Sequence, residues 1–201
     1  MADTASPGLA RFRTILWVLV AIAAIGATLL FVFRPPSQPL AVTGTPFTLQ
    51  STAGGTFTER DLVGKPSLVF FGYTNCPDVC PTTLAETALW KERLGIDDDD
   101  IRTIFVTVDP DRDTLDVLRA YLGGFDPDVI GLAGDAGQTT AVKASFGVAS
   151  ENAAPREDGF YLVNHTASVF LLNRQGQFQS TIAYGEATDT AVDKIRRLIA
   201  G

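Results

Sequence analysis

Cys76 and Cys80, the only cysteines among 201 residues, stand in Cys-Pro-Asp-Val-Cys-Pro. With three residues between them, the two sulfurs are near enough to bridge and far enough apart to face one metal ion unbridged, so the spacing alone leaves both chemistries open. A structural disulfide is the weaker reading, because so short a loop gains little from a cross-link. Soft thiolates select Cu(I), zinc or iron-sulfur clusters, and one added imidazole gives two sulfurs and a nitrogen, a set suited to copper, whereas zinc usually takes a fourth protein ligand. His165 is the only histidine. It lies in Val-Asn-His-Thr-Ala ahead of the apolar run SVFLL, which places it on a loop at a strand edge. Taken without the cysteines, a lone histidine is more often a hydrogen-bonded structural or surface residue.

The elements around the cysteines explain why they are available for chemistry. Ser67 to Tyr73, SLVFFGY, is a continuous apolar run that reads as a strand buried on both faces. Thr82 to Leu94 has helical spacing, with Leu84, Ala88, Leu89 and Leu94 apolar, Lys91 among the polar positions, Thr82 or Thr83 as cap and Gly95 as its end. The cysteines therefore occupy the turn from a central strand to a helix, where loop residues emerge into a crevice at the carboxyl edge of a sheet. A helix N-terminus also presents unpaired N–H groups and partial positive charge, which favour thiolates.

Further along, Ile101 to Val108 reads as a second buried strand, Thr114 to Leu122 as a helix, Val129 to Leu132 as a short strand and Gln138 to Phe146 as a helix. Tyr161 to Val163, Ser168 to Leu172 and Phe178 to Ile182 read as later strands, with Asn173-Arg-Gln-Gly the turn between the last two. Thr188 to Ala200 is an amphipathic helix, apolar at Ala191, Val192, Ile195, Leu198 and Ile199. Phe47 to Thr58 reads as a small hairpin around Ala-Gly-Gly. Alternating strands and helices imply parallel pairing, and the whole is an α/β domain resembling thioredoxin, with an N-terminal β-hairpin and one preceding transmembrane helix.

That helix is the run from Thr14 to Phe33, twenty residues without a charge, long enough to cross roughly 30 Å of hydrocarbon. The run exceeds the apolar core of a cleaved signal and ends in Leu-Phe-Val-Phe-Arg-Pro-Pro with no small-x-small site, which favours a retained anchor. Arg11 and Arg13 precede it and only Arg34 follows closely, so residues 1–13 are expected as a cytoplasmic tail and everything after Phe33 outside. Residues 34–46, rich in proline, read as a tether, and 47–201 as the domain. Beyond residue 34 there are thirteen basic and twenty-two acidic side chains, a net charge of −9, which makes nucleic acid and anionic membrane surfaces poor partners.

FFGYTNCPDVCPTTL, then FVTVDPDRDT, then NHTASVFLLNRQG, in that order, resemble the SCO/SenC family of copper proteins over about Phe47 to Ile199. The resemblance implies one copper ion, Cu(I) or Cu(II), held by Cys76, Cys80 and His165. It also implies a role in maturing the binuclear CuA site of cytochrome c oxidase subunit II, by delivering copper or by reducing that site's cysteines. The corresponding partners are subunit II, a copper donor and a thiol reductant. The implied location is the bacterial inner membrane, single-pass, with the domain on the periplasmic side. Were the chain instead a thiol-disulfide oxidoreductase, Cys76 and Cys80 would be its redox pair and His165 would be dispensable. A peroxidase is disfavoured by the second cysteine four residues upstream of Cys80-Pro-Thr. Asp109, Asp111, Arg112 and Asp113 match a family segment at the end of the second buried strand, on the same edge as the cysteine loop, where one reading has them shape the site or dock a partner. Their plain structural reading is an Asp109–Arg112 ion pair and a helix cap at Asp113 or Thr114. Asp78 reads as a solvated loop residue, Asp97 to Asp100 as a solvated, self-repelling turn, and Trp90 as packing.

Overall fold

The computed structural model describes residues 7–32 and 39–201, with side chains described for 11–28 and 39–201. They form two separate units, the N-terminal helix and a folded unit from Pro39 onward. Residues 1–6 of the expected tail, Phe33 at the end of the expected anchor and residues 34–38 of the expected tether lie outside the described residues.

Helix α1, Pro7–Val32, contains a segment, Arg11–Thr28, long and apolar enough to cross a membrane. It is apolar all round rather than along one stripe, as lipid requires and a surface helix does not.

The second unit is built on a seven-stranded sheet. In chain order its strands are β1 (Thr48–Ser51), β2 (Thr56–Thr58), β3 (Ser67–Gly72), β4 (Arg102–Thr107), β5 (Ile130–Ala133), β8 (Ser168–Leu172) and β9 (Phe178–Ala183). Their spatial order is β2-β1-β5-β4-β3-β8-β9. β3, β4 and β5 run parallel, Val69 opposite Ile104 and Phe105 opposite Gly131, while β8 and β9 add antiparallel on the β3 side. The expected N-terminal hairpin is β1 and β2, attached antiparallel to β5. Every residue of β3 is buried, as its continuous apolar run demands.

Successive residues of a strand face opposite sides, and Phe70 and Phe71 show which helices lie where. Phe71 meets Phe146 of α4 (Ala136–Phe146) with ring centroids 5.2 Å apart and Phe170 at 5.9 Å. Phe70 points to the other side, against Phe105 at 5.9 Å, and Phe105 in turn meets Tyr121 of α3 (Leu115–Leu122) at 6.1 Å. Helix α2 (Val79–Leu94) packs against α5 (Thr188–Ala200), which buries the predicted Ala191, Val192, Ile195 and Leu198. The turn at 173–176 forms as read: Asn173 Oδ1 accepts from the backbone N–H of Gln175 and Gln177, and Gly176 adopts φ +73°.

Three expectations are revised. The buried face of α2 comprises Cys80, Thr83, Leu84, Thr87, Trp90 and Lys91, not the stripe with Leu89, which is exposed. Part of the expected tether is fastened down: Ala41 N–H donates to Gly176 O at 2.8 Å, and Val42 and Thr43 donate to Ser145 O. The Asp97–Asp100 turn is not simply solvated. Asp98 accepts from Lys91 Nζ at 2.9 and 3.0 Å, Lys65 Nζ donates to its carbonyl, and Lys91 also reaches Asp126 at 2.8 Å.

Lys91 is buried between two part-buried carboxylates, so its removal leaves charges uncompensated. Its ammonium is held above the ordinary value by Asp126 and Asp98 against the opposing effect of its own burial. Lys91→Met, measured by urea denaturation, is expected to lower stability by about 2–3 kcal/mol, below the ~3–5 kcal/mol of a fully buried pair because both carboxylates keep some water. A loss under ~0.5 kcal/mol would show the pair to be a surface interaction.

Candidate metal centre

β3 ends at Gly72, and the chain turns at once, Cys76 N–H donating to Tyr73 O at 3.2 Å. The following helix begins at Val79, earlier than the expected Thr82, so Cys80 is not in the loop but in the first helical turn. Pro81 is compatible with this because the first four N–H groups of a helix have no intrahelical acceptor. Asp78 stands at the N-cap position without capping a backbone N–H. The Cys76 sulfur accepts instead from the Cys80 N–H at 3.3 Å.

The two cysteines are free and differ in exposure: Cys76 is half-buried and Cys80 is 0% exposed. Room for the Cys80 sulfur comes from Gly72. A Cβ built there would lie 2.9 Å from Cys80 Sγ and 2.8 Å from the edge of the Phe105 ring. This glycine was not singled out in the sequence, although a glycine inside a buried apolar strand signals close approach.

His165 arrives from a two-stranded hairpin outside the main sheet. β6 (Ser150–Asn152) pairs with β7 (Val163–His165), Ser150 opposite His165, so the histidine ends a strand rather than lying on a loop. Its ring stands edge-on to Tyr73 and Phe70, with centroids at 5.8 and 6.1 Å. Nδ1 lies 3.0 Å from Thr166 O and must donate to that carbonyl, which leaves the Nε2 lone pair directed at Cys80 Sγ, 3.6 Å away.

One ligand atom each from Cys76, Cys80 and His165 lies within 4.8 Å of the others. Burial lowers the His165 pKa, so the imidazole is neutral near pH 7, the form that ligates a metal. Burial pushes the Cys80 thiol far above its ordinary value, with the neighbouring Cys76 and Asp113 adding to the effect. A thiolate there is costly unless a cation arrives with it, which a soft metal ion does. Two sulfurs and one nitrogen, with the imidazole tautomer fixed from behind, fit copper. A second grouping, Asp98, Asp126 and Asp128, already contains the Lys91 ammonium.

The segment after β4 packs beside the centre. Asp109 and Arg112 form the expected ion pair at 2.5 Å, and Thr114, not Asp113, caps α3, accepting from Val117 N–H. Asp113 turns inward, and its carboxylate accepts from Thr74 N–H at 3.0 Å and from the hydroxyls of Thr74 and Thr107 at 2.6 Å.

A family model described as SCO1/SenC matches residues 35–200. The chain belongs to the SCO1/SenC family. Among relatives of known name, the mitochondrial protein SCO1 of Saccharomyces cerevisiae is 36% identical over 159 residues, 76% of this chain and 52% of its own length. A SCO2-like protein of Rickettsia felis is 35% identical over 177 residues, 82% of this chain and 86% of its own. The structure of Bradyrhizobium japonicum ScoI with copper bound superposes with a TM-score of 0.69 at 40% identity, covering 76% of this chain and 97% of that one. Yeast Sco1 with copper bound gives a TM-score of 0.69 at 34% identity, covering 78% and 87%. The chain spans about half the length of the first mitochondrial SCO relatives.

Gly72→Ala forces its methyl into the Cys80 sulfur and the Phe105 ring, and overpacking of this kind costs about 1–3 kcal/mol. Thermal melting should show that loss together with faster alkylation of Cys80, and an unchanged melt would mean the strand shifts freely. For His165 the folded pKa lies below the ordinary 6.5, so on acidification the unfolded chain takes up the proton first. The metal-free protein should lose stability as the pH falls below about 6.5 toward the folded value. His165→Gln should show a shallower fall over the same window, and identical slopes would remove the histidine from that linkage.

Proposed function

We propose that this protein is a membrane-anchored copper-binding metallochaperone for assembly of the CuA site of cytochrome c oxidase subunit II. Residues 14–33 serve as the anchor, 1–13 as the cytoplasmic tail and 34–46 as a tether partly fastened to the domain formed by 47–201. The domain faces the periplasm of a bacterial inner membrane. One copper ion is its cargo, held by the sulfurs of Cys76 and Cys80 and by Nε2 of His165. The observation that carries this reading is the convergence of those three donors within 4.8 Å, with Nδ1 tied to the Thr166 carbonyl so that Nε2 faces inward. The copper bound by Bradyrhizobium ScoI and yeast Sco1 supports the same assignment. A copper donor must load the site, and a thiol reductant must keep the cysteines reduced in an oxidising compartment.

A second reading, a thiol-disulfide oxidoreductase acting on the cysteines of the CuA site or of another exported partner, draws on the unequal exposure of the pair. Half-buried Cys76 would attack the partner's disulfide, and buried Cys80 would then displace the reduced partner, leaving Cys76 and Cys80 bridged.

The full-length chain, reduced and offered copper, is expected to bind one ion per chain and to show sulfur-to-copper charge transfer in its Cu(II) form. His165→Ala should weaken binding by roughly 100-fold or more, since even groups that only support metal ligands contribute about 10–100-fold. Turnover on disulfide substrates without copper retention would favour the second reading, and unchanged affinity in His165→Ala would take the histidine out of the site.

A further inference from the structure

The segment Asp109 to Asp113, between β4 and α3, touches none of the three donor atoms, yet it grips both chain segments that carry them. One grip is on the cysteine turn. The carboxylate of Asp113, buried, takes the Thr74 N–H at 3.0 Å, the Thr74 hydroxyl at 2.6 Å and the Thr107 hydroxyl at 2.6 Å. Thr74 stands two residues before Cys76, so this carboxylate locks the start of the turn to the end of β4.

The other grip is on the approach to His165, and it holds one residue three ways. The Tyr161 hydroxyl donates to Asp109 Oδ1 at 2.9 Å, Arg112 Nη1 donates to Tyr161 O at 3.0 Å, and the guanidinium carbon lies 3.6 Å from the Tyr161 ring centroid. Arg112 is itself aligned by its Nε bond to Asp109 Oδ2 at 2.5 Å. Tyr161 stands two residues before β7 and four before His165, and the residues before it, 154–159, are exposed and supply no core contact. β7 itself is seated by the buried Val163 and by its pairing with β6, and the clamp fixes the segment that leads into it, four residues before the imidazole.

We propose that Asp109, Arg112 and Asp113 are positioning residues with divided labour, Asp113 acting through Thr74 on the cysteine pair, and Asp109 with Arg112 acting through Tyr161 on His165. The inference rests on the reading of Cys76, Cys80 and His165 as a copper site. Groups that orient metal ligands from behind are worth about 10–100-fold in affinity, and here the loss should fall on one ligand class at a time.

The test uses the full-length chain in detergent, loaded with Cu(II). Tyr161→Phe and Arg112→Gln should lower copper affinity by about 10–100-fold. They should also weaken the nitrogen coupling in the paramagnetic resonance spectrum while the sulfur-to-copper charge-transfer band stays in place. Thr74→Val and Asp113→Asn should shift the charge-transfer band and spare the nitrogen coupling. Should Asp113→Asn fail to fold, Thr74→Val, at a half-buried position, carries that arm. Wild-type spectra in every variant would overturn the proposal, and so would equal loss of both signals from either arm. A metal-free measurement separates this outcome from the fate of the copper reading. His165 is the only histidine, so its ring resonances are unambiguous. In the reduced apo chain they should shift or broaden in Tyr161→Phe but not in Thr74→Val. If the wild-type chain takes up no copper, the proposed function falls, and these resonances still decide whether the clamp positions the imidazole.

Discussion

The position of one sulfur atom constrains the rest of this centre. Cys80 Sγ is buried over Gly72, beside the tip of the Phe105 ring, at the carboxyl end of β3. Its burial makes an unaccompanied thiolate expensive, so the thiol stays protonated until a cation compensates it. Placing it there requires a strand residue with no side chain, a helix that begins before the second cysteine, and a third donor that approaches from a different part of the chain. Each of these is present.

The helix start shows how closely these features depend on one another. Three residues between cysteines put Cys80 in the first turn of α2, and Pro81 after it removes an N–H that the helix would have left unpaired. Because Asp78 does not cap the backbone, the Cys80 N–H is free to meet the Cys76 sulfur. The same turn of chain therefore orients both sulfurs, one half-buried and one buried. Had Thr82 or Thr83 begun the helix, Cys80 would lie in a loop and lose the fixed direction that the first turn gives it.

Most of the architecture was legible because it rests on short-range signals. The apolar run of β3, the asparagine turn before Gly176 and the amphipathic period of α5 each reflect contacts within a few residues or one buried face. What escaped depends on partners distant in the chain. Lys91 reads as a polar surface position until Asp98 and Asp126 arrive to pair with it, and it lies on the buried face of α2, which leaves Leu89 exposed. The hairpin of β6 and β7 was only half visible, since Ser150–Asn152 is exposed at two of its three positions and has no apolar alternation. Cys76, Cys80 and His165 stand out by type and by resemblance, and the structure brings them together. The tautomer of His165 and the unequal burial of the cysteines emerge only when Thr166, Gly72 and Phe105 are placed around them.

Unequal burial also sets an order on any exchange of cargo under the proposed function. A metal handed over by ligand exchange leaves through donors that an incoming group can reach, and Cys76 and His165 are half-buried whereas Cys80 is closed off from solvent. A groove lined by Tyr73, Cys76, Pro77, Val163 and His165 opens beside the same pair. An acceptor thiol entering there meets Cys76 or His165 first. Cys80 is then the last donor to release, and with the proton that the acceptor thiol gives up on taking the metal it returns to a neutral buried thiol in place of a thiolate that burial disfavours. Burial of Cys80 thus opposes formation of the free thiolate and assists departure of the metal, which suits a site that must give up what it holds.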